Sequence, residues 1–120
     1  MTLLTARDRE RLLANGSRHR DQQQTDPDVA VDLRPVVKLF TPDAGATWLL
    51  TELDPDDPDL AFGLCDLGLG FPELGYVRLT ELAAVRGRLG LAIERDRHFD
   101  PERTLSAYAA EARLAGRITA

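Results

Sequence analysis

Four short runs rich in apolar residues lie in the middle of the chain, and residues that favour turns separate them. The runs cover about 36–40, 47–53, 61–67 and 75–79. β-Branched and aromatic residues in such runs favour extended strands. Because the connections between the runs are short, neighbouring strands are expected to be antiparallel. The pattern therefore predicts consecutive strands of one antiparallel sheet.

Alternation along the runs assigns the strand residues to two faces. The first face is small or apolar and is predicted to pack beneath helices; it contains Val37, Leu39, Leu49, Thr51, Leu53, Gly63, Cys65, Leu67, Val77 and Leu79. The second face mixes apolar side chains with Lys38, Trp48, Glu52, Asp66, Tyr76 and Arg78. We therefore expect Trp48 and its charged neighbours to face outward. A one-residue bulge would exchange the two faces locally.

The first third of the chain predicts one helix and one loop. Thr5 and Asp8 have the spacing of a capping box, and Gly16 is placed to end the helix. These signals predict a helix over 6–15. Residues 17–34 are polar and without periodicity, which is typical of a mobile loop.

The last third predicts two further helices. Thr80 and Gly87 bound a short helix over 81–86, and residues 91–99 form an edge strand or an ordered loop. Leu105, Tyr108, Ala112 and Ala115 have helical spacing, which predicts a helix over 101–115 that Gly116 closes.

Together the elements predict a single domain over residues 1–120, with the sheet inside 36–99. The expected fold class is α+β, with a four- or five-stranded, mainly antiparallel sheet. Two or three helices are expected to pack mostly on one face of that sheet.

Charge and composition exclude several function classes. The 120-residue chain has a formal net charge of −5, which argues against direct nucleic-acid binding and against attraction to anionic membranes. No apolar run approaches the roughly 20 residues of a membrane span, and the N-terminus becomes charged at Arg7. The single cysteine, Cys65, cannot form an internal disulfide. We therefore expect a cytoplasmic protein.

No catalytic or cofactor-binding motif is recognisable. The G-x-S-x-G, P-loop and G-x-G-x-x-G patterns do not occur in the sequence. Cys65 lies on the predicted core face, where a thiol behaves as a small hydrophobic group. No cofactor and no catalytic residue are therefore assigned.

The stretch 51–73 is acidic and contains no Lys or Arg. Its carboxylates belong to Glu52, Asp54, Asp56, Asp57, Asp59, Asp66 and Glu73. Such a patch could imitate the phosphate backbone of DNA or hold a divalent cation. A proline-stiffened turn that is solvated by aspartates explains the same residues, and charge runs usually have that simpler role.

Two further groups of residues have candidate chemistry. Glu94, Asp96 and His98 would share one side of a strand and could hold Mn²⁺, Fe²⁺ or Zn²⁺, although ion pairs with neighbouring arginines explain the same pattern. Arg86 or Arg95 could clamp a phosphate or carboxylate. A helix end followed by structural salt bridges is the competing interpretation of that segment.

Several blocks of the sequence resemble the bacterial domain-of-unknown-function family 2958. The blocks are 37–43, 47–52, 62–66, 73–77, 81–82 and 86–96, and the similarity extends through 104–106. The resemblance implies a small bacterial protein of a kind often encoded on plasmids and other mobile elements. No activity is settled for that family, so the resemblance implies no catalytic residues.

These observations favour a non-enzymatic module that binds a protein partner for a mobile element. The predicted contact residues are Trp48, Glu52, Asp66, Tyr76, Arg78, Arg86, Arg95 and the acidic residues Asp54, Asp56, Asp57 and Asp59. One version is an inhibitor that imitates the charge of DNA against a host nuclease or regulator. The alternative is a small metal-dependent enzyme that uses Glu94, Asp96 and His98. A third possibility is a scaffold whose surface has no dedicated ligand.

Overall fold

The computed structural model describes residues 3–120 and contains eight elements of secondary structure. In chain order they are α1 (Ala6–Thr25), β1 (Val37–Phe40), β2 (Thr47–Asp54), β3 (Asp57–Asp66), β4 (Glu73–Arg78), α2 (Leu79–Ala84), β5 (Glu94–Arg95) and α3 (Leu105–Ala115). The strands form one antiparallel sheet in the order β4-β3-β2-β1-β5. This five-stranded α+β arrangement confirms the predicted fold class. No helix in the described part of the chain has the length and hydropathy of a membrane-spanning segment.

Helices cover both faces of the sheet. On the first face, Leu12 of α1 and Leu82 of α2 belong to the larger core cluster, together with Leu39 and Leu50. On the second face, α3 packs its buried residues Leu105, Ala109 and Ala112 against Leu49 and Leu64. Two of the three helices therefore pack on one face, and the third helix packs on the other.

The register between β1 and β2 corrects the predicted faces. Leu39 is opposite Trp48 and Val37 is opposite Leu50, and residues directly opposite each other share a face. Trp48 and Leu50 therefore lie with Val37 and Leu39, whereas Leu49 faces α3. Alternation determines the faces within one strand, but the turn between two strands sets their relative parity.

A bulge in β2 changes the parity a second time. The pairing of β2 with β3 shifts between Leu50 and Glu52, which leaves Thr51 without a strand partner. Leu50 and Leu53 consequently enter the same core cluster, although they are three residues apart. Thr51 is buried, and its hydroxyl donates to the carbonyl oxygen of Phe62 at 3.3 Å.

Helix α1 is longer than predicted because Gly16 does not end it. The helix continues to Thr25, so residues 17–25 are helical and the predicted loop is wrong over that range. A Cβ atom at position 16 would collide with the carbonyl oxygen of Leu53. Next to it, Asn15 Nδ2 donates to the carbonyl oxygen of Thr51 at 2.9 Å. The glycine therefore allows α1 to approach β2 closely.

The segment 26–35 has neither helix nor strand, but it is attached to α3. The amide of Leu105 donates to the carbonyl oxygen of Leu33 at 2.8 Å. The amide of Ser106 donates to Asp32 Oδ1 at 3.1 Å, so a carboxylate lies at the start of α3. These bonds connect the long linker after α1 to the helix on the second face.

The remaining boundaries differ from the prediction by a few residues. Helix α2 begins at Leu79, and the hydroxyl and amide of Thr80 donate to Asp59 instead of capping the helix. Helix α3 begins at Leu105, and Gly116 ends it with φ 74°, a conformation that favours glycine. Strand β5 contains only Glu94 and Arg95.

Candidate functional site

Strand β4 forms one edge of the sheet. It pairs with β3, and no other strand of residues 3–120 pairs with its second side. Along an edge strand, about half of the backbone N–H and C=O groups point away from the sheet and are free to pair with another chain. The opposite edge strand, β5, is only two residues long. The six-residue β4 is therefore the longer of the two open edges.

Exposed apolar side chains accompany this edge. Within residues 3–120, nine large apolar side chains are exposed, and five of them lie between 67 and 76. We call these five residues the β4 surface: Leu67, Leu69, Phe71, Leu74 and Tyr76. Phe71 is 80% exposed and Tyr76 is 68% exposed. A group of exposed apolar side chains that is concentrated in one region of the surface is typical of an interaction site.

The register explains why Leu74 and Tyr76 point to the same side. Leu74 is opposite Leu64 and Tyr76 is opposite Phe62, so both lie on the second face. The rings of Phe62 and Tyr76 are 5.0 Å apart with an interplanar angle of 59°. Phe62 packs against the α3 cluster, and Tyr76 extends that cluster outward to the edge of the sheet.

The loop between β3 and β4 carries the other three members of the β4 surface. Gly68 and Gly70 have φ of 79° and 88°, so the loop turns sharply. The side chains of Leu67, Leu69 and Phe71 are exposed in this loop. A Cβ atom at Gly116 would lie 3.8 Å from the carbonyl oxygen of Gly70. The end of α3, which carries the exposed Leu114, therefore lies beside this loop.

The acidic residues at the β2–β3 turn are paired with arginines of the same chain. Arg20 Nη2 lies 3.1 Å from Asp54 and 3.0 Å from Asp56. Arg78 Nη1 lies 3.0 Å from Asp57 and 3.7 Å from Asp59. Two guanidinium groups thus offset half of the formal charge of four carboxylates, and these local ion pairs favour the interpretation as a solvated turn.

Asp59 has a second structural role at this turn. Hydrogen bonds from the Thr80 hydroxyl and amide, together with the charge of Arg78, hold the pKa of Asp59 below its usual value, although desolvation opposes the shift. The carboxylate therefore fixes the start of α2 beside the hairpin.

Trp48 and Asp66 are not available to a partner. Trp48 is 4% exposed and belongs to the core beneath α1, so its predicted exposure is wrong. The cause is the register between β1 and β2, which the alternation of a single strand does not contain. Asp66 is 2% exposed, and its two oxygens accept the amides of Gly68 and Ile118, each at 2.9 Å. It holds the β3–β4 loop and the C-terminal segment in place.

Three more predicted contact residues have partners within the chain. Glu52 is half-buried and accepts a hydrogen bond from His19 Nδ1 at 2.8 Å. Arg86 Nη1 donates to the carbonyl oxygens of Ala83 and Val85 at 2.9 and 2.7 Å, at the end of α2. Arg95 Nε lies 3.6 Å from Asp8. For the two arginines, the helix end and the structural salt bridge account for the observed contacts.

The predicted metal ligands do not converge, so that prediction is wrong. No group of three or more His, Cys, Asp or Glu side chains in residues 3–120 is arranged to hold a metal ion. The chain turns at Arg97 and His98, where the His98 amide donates to Asp96 Oδ1 at 2.9 Å. This turn ends the period-two alternation on which the predicted triplet depended. Asp96 instead lies 3.7 Å from Lys38 Nζ.

Sequence reasoning identified Tyr76 and Arg78 but missed the apolar residues beside them. Leu67 was predicted to face the core, yet it is exposed because β3 ends at Asp66. The available signal was the combination of leucine and phenylalanine with closely spaced glycines in a connecting segment. Such segments are usually polar, so apolar residues there indicate contact with something outside the chain.

The geometry thus defines a small α+β domain with an apolar surface along an edge strand. The sequence profile of the family described as "Protein of unknown function (DUF2958)" matches residues 3–119. The chain therefore belongs to domain-of-unknown-function family 2958. No curated protein and no solved structure matches the chain.

Proposed function

We propose that this chain is a non-enzymatic protein-binding module, and that an extended segment of another protein binds along β4. The observation that carries the proposal is the coincidence of an open strand edge with five exposed apolar side chains in ten residues. Either feature alone is common, because every open sheet has edges and single exposed leucines need no explanation. Together they provide both hydrogen-bonding groups and apolar area.

Strand addition gives this surface a specific partner chemistry. The backbone of the added segment would pair with β4, and every second side chain would face Leu74 and Tyr76. A matching segment is therefore extended, has apolar residues at alternate positions and lacks proline at the positions that must donate. Glu73 at the start of β4 favours a basic residue in the partner segment, whereas Arg78 at the end of β4 already pairs with Asp57 and Asp59.

The DNA-mimic version of the binding module has less support. It needs an array of free carboxylates, whereas each of the four aspartates of the β2–β3 turn pairs with Arg20 or Arg78, which offsets half of their charge. The acidic turn lies next to β4, so we expect it to disfavour acidic partners. We further propose that the module acts in the bacterial cytoplasm, on a partner encoded by a mobile element or by its host.

A photo-crosslinking experiment tests the proposal. p-Benzoylphenylalanine is introduced at Tyr76, at Phe71 and, as a control, at Gln23 on the exposed side of α1, each in the full chain expressed in its host. We expect positions 76 and 71 to crosslink to the same segment of one protein, and position 23 to give no such product. A synthetic peptide of that segment should then shift the amide resonances of β4.

Three outcomes would contradict this function. The absence of adducts at positions 71 and 76 would contradict the assignment of the β4 surface as a binding site. The same adducts at position 23 would show that the contact is not specific. An adduct with twice the mass of the chain would identify a second copy as the occupant in place of a different protein.

A further inference from the structure

We propose a second site, a cleft at the β1–β5 side of the sheet that binds a small organic phosphate. The cleft has a volume of about 1020 Å³ and lies between the β1–β2 turn, β5 and the segment around Arg117. The cleft reaches Asp66 at the end of β3, beside the β3–β4 loop, but none of the five side chains of the β4 surface lines it. This inference is therefore independent of the protein-binding function proposed above.

A row of residues across four strands lies along the cleft. Asp66 is opposite Thr47, Thr47 is opposite Phe40, and Phe40 is opposite Glu94. All four line the cleft, and they share the second face of the sheet. Thr47 and Phe40 are partly exposed, so a hydroxyl and an aromatic ring are accessible between the two carboxylates.

The cleft has more positive than negative groups, although the chain as a whole has a net charge of −5. Five cationic side chains line it against three carboxylates, and the set is Lys38, Arg86, Arg95, Arg97 and Arg117 against Asp66, Glu94 and Asp96. An excess of cations in a concave region focuses the local potential and attracts anions.

The partners of these groups show which of them are free to bind. Lys38 Nζ donates to the carbonyl oxygen of Ala120 at 2.6 Å, and Arg86 and Arg95 have the intramolecular partners described above. Arg97 and Arg117 are exposed and have no carboxylate oxygen within 4.0 Å among residues 3–120.

The carboxylates of the cleft are mostly engaged as well. Asp66 accepts two backbone amides, and Asp96 accepts the amide of His98 and lies near Lys38. Glu94 is the one lining carboxylate of the described chain for which no such contact is found. Among the lining groups, those without a partner in the described chain are therefore two guanidinium groups and one carboxylate.

This balance points to a ligand that is both anionic and partly apolar. Guanidinium groups bind phosphate oxygens in a bidentate manner, and two of them match the double charge of a phosphate monoester. The apolar lining from Phe40 and Ile118 would contact an organic group. The geometry thus favours an organic phosphate over an inorganic anion.

Calorimetric titration of the full chain tests this site. The probes are AMP, glucose 6-phosphate and inorganic phosphate, with adenosine as the probe that lacks phosphate, all at constant ionic strength. The cleft variant combines Arg97→Gln and Arg117→Gln. The matched control combines Arg9→Gln and Arg113→Gln, which removes the same charge from helix surfaces outside the cleft.

We expect at least one of the two organic phosphates to bind more tightly than inorganic phosphate. If AMP is that ligand, adenosine should bind at least about tenfold more weakly than AMP. The cleft variant should bind the phosphate at least about tenfold more weakly, whereas the control keeps the affinity of the original chain. Equal weakening in both variants would show general electrostatics and overturn the site. Failure of all three phosphate probes to bind would overturn it as well.

Discussion

Strands β2 and β4 have similar apolar content but opposite surroundings. In β2, Leu49, Leu50 and Leu53 are fully buried because α1 and α3 cover the two faces of the sheet at that strand. In β4, Leu74 and Tyr76 are exposed, and one edge of the strand is open. The same class of side chain therefore stabilises the fold in β2 and is available for binding in β4.

The largest expected difference between these regions is at two glycines that face each other. Gly63 of β3 is opposite Gly75 of β4, but a Cβ atom at Gly63 would collide with the carbonyl oxygen of Leu49, while Gly75 has open space. We expect Gly63→Ala to lower the free energy of unfolding by about 3 kcal/mol, because the backbone of β2 must move. The matched Gly75→Ala should change it by less than about 1 kcal/mol.

Urea unfolding followed by the fluorescence of the buried Trp48 measures both values. Equal losses for the two alanine variants would show that β4 is packed as tightly as the centre of the sheet. The contrast between the two strands would then be wrong.

Truncation of leucines is expected to have an effect of comparable size. Leu50→Ala removes a fully buried side chain and should cost about 2–5 kcal/mol. Leu69→Ala removes a side chain of the β4 surface and should change the free energy of unfolding by less than about 0.5 kcal/mol. A cost above about 1 kcal/mol for Leu69→Ala would indicate that the β4 surface supports the fold.

A side chain from the β1–β2 turn holds the loop 86–91 in place, although Leu89 and Leu91 in that loop are exposed. Asp43 Oδ2 accepts the amides of Leu89 and Leu91 at 2.6 and 3.3 Å, and a Cβ atom at Gly87 would collide with the carboxylate. We expect Asp43→Ala to cost about 1–3 kcal/mol and to speed hydrogen exchange at residues 89 and 91. Unchanged exchange at both amides would contradict this role of Asp43.

The smallest expected effect concerns pH and the start of α3. Partial burial raises the pKa of Asp32, but hydrogen bonds from the Ser106 hydroxyl and amide and from the Thr104 hydroxyl outweigh it, so the pKa lies below its usual value. A carboxyl group with a depressed folded pKa contributes stability above its unfolded pKa and loses it as the pH falls through the folded pKa.

Stability curves between about pH 5 and pH 3 measure this contribution. The original chain should lose stability with acid slightly more steeply than Asp32→Asn, since the variant has no carboxylate to protonate. Parallel curves for the two proteins would show that the contacts of Asp32 with α3 do not affect its titration.

The sequence was sufficient to predict the sheet, the presence of a helix near each end of the chain and the fold class, because periodicity and turn residues are local signals. It was insufficient for Trp48, Leu49 and Leu50, whose faces depend on the register between β1 and β2. Leu53 lies on its predicted face because the bulge in β2 restores the parity. Gly16 has the appearance of a helix end in the sequence, and only the neighbouring carbonyl oxygen of Leu53 explains it. Each error depends on a contact between two elements, which the pattern within one element does not contain.

The candidate site was predictable in part. Tyr76 and Arg78 were identified from alternation along β4, and the acidic turn was identified from its composition. The pairing of Arg20 and Arg78 with that turn was not predicted, in the case of Arg20 because it lies in a segment that was expected to be a loop. The metal triplet failed because a two-residue strand is too short to align three side chains.

The most direct test of the central claim compares the chain with its Tyr76→Ser variant in two respects. The affinity for the partner segment found by crosslinking at Tyr76 is measured together with the free energy of unfolding. We predict at least about tenfold weaker binding, and a change in stability below about 1 kcal/mol. Unchanged affinity, or a loss of stability comparable to that of Leu50→Ala, would contradict the assignment of β4 as a binding surface.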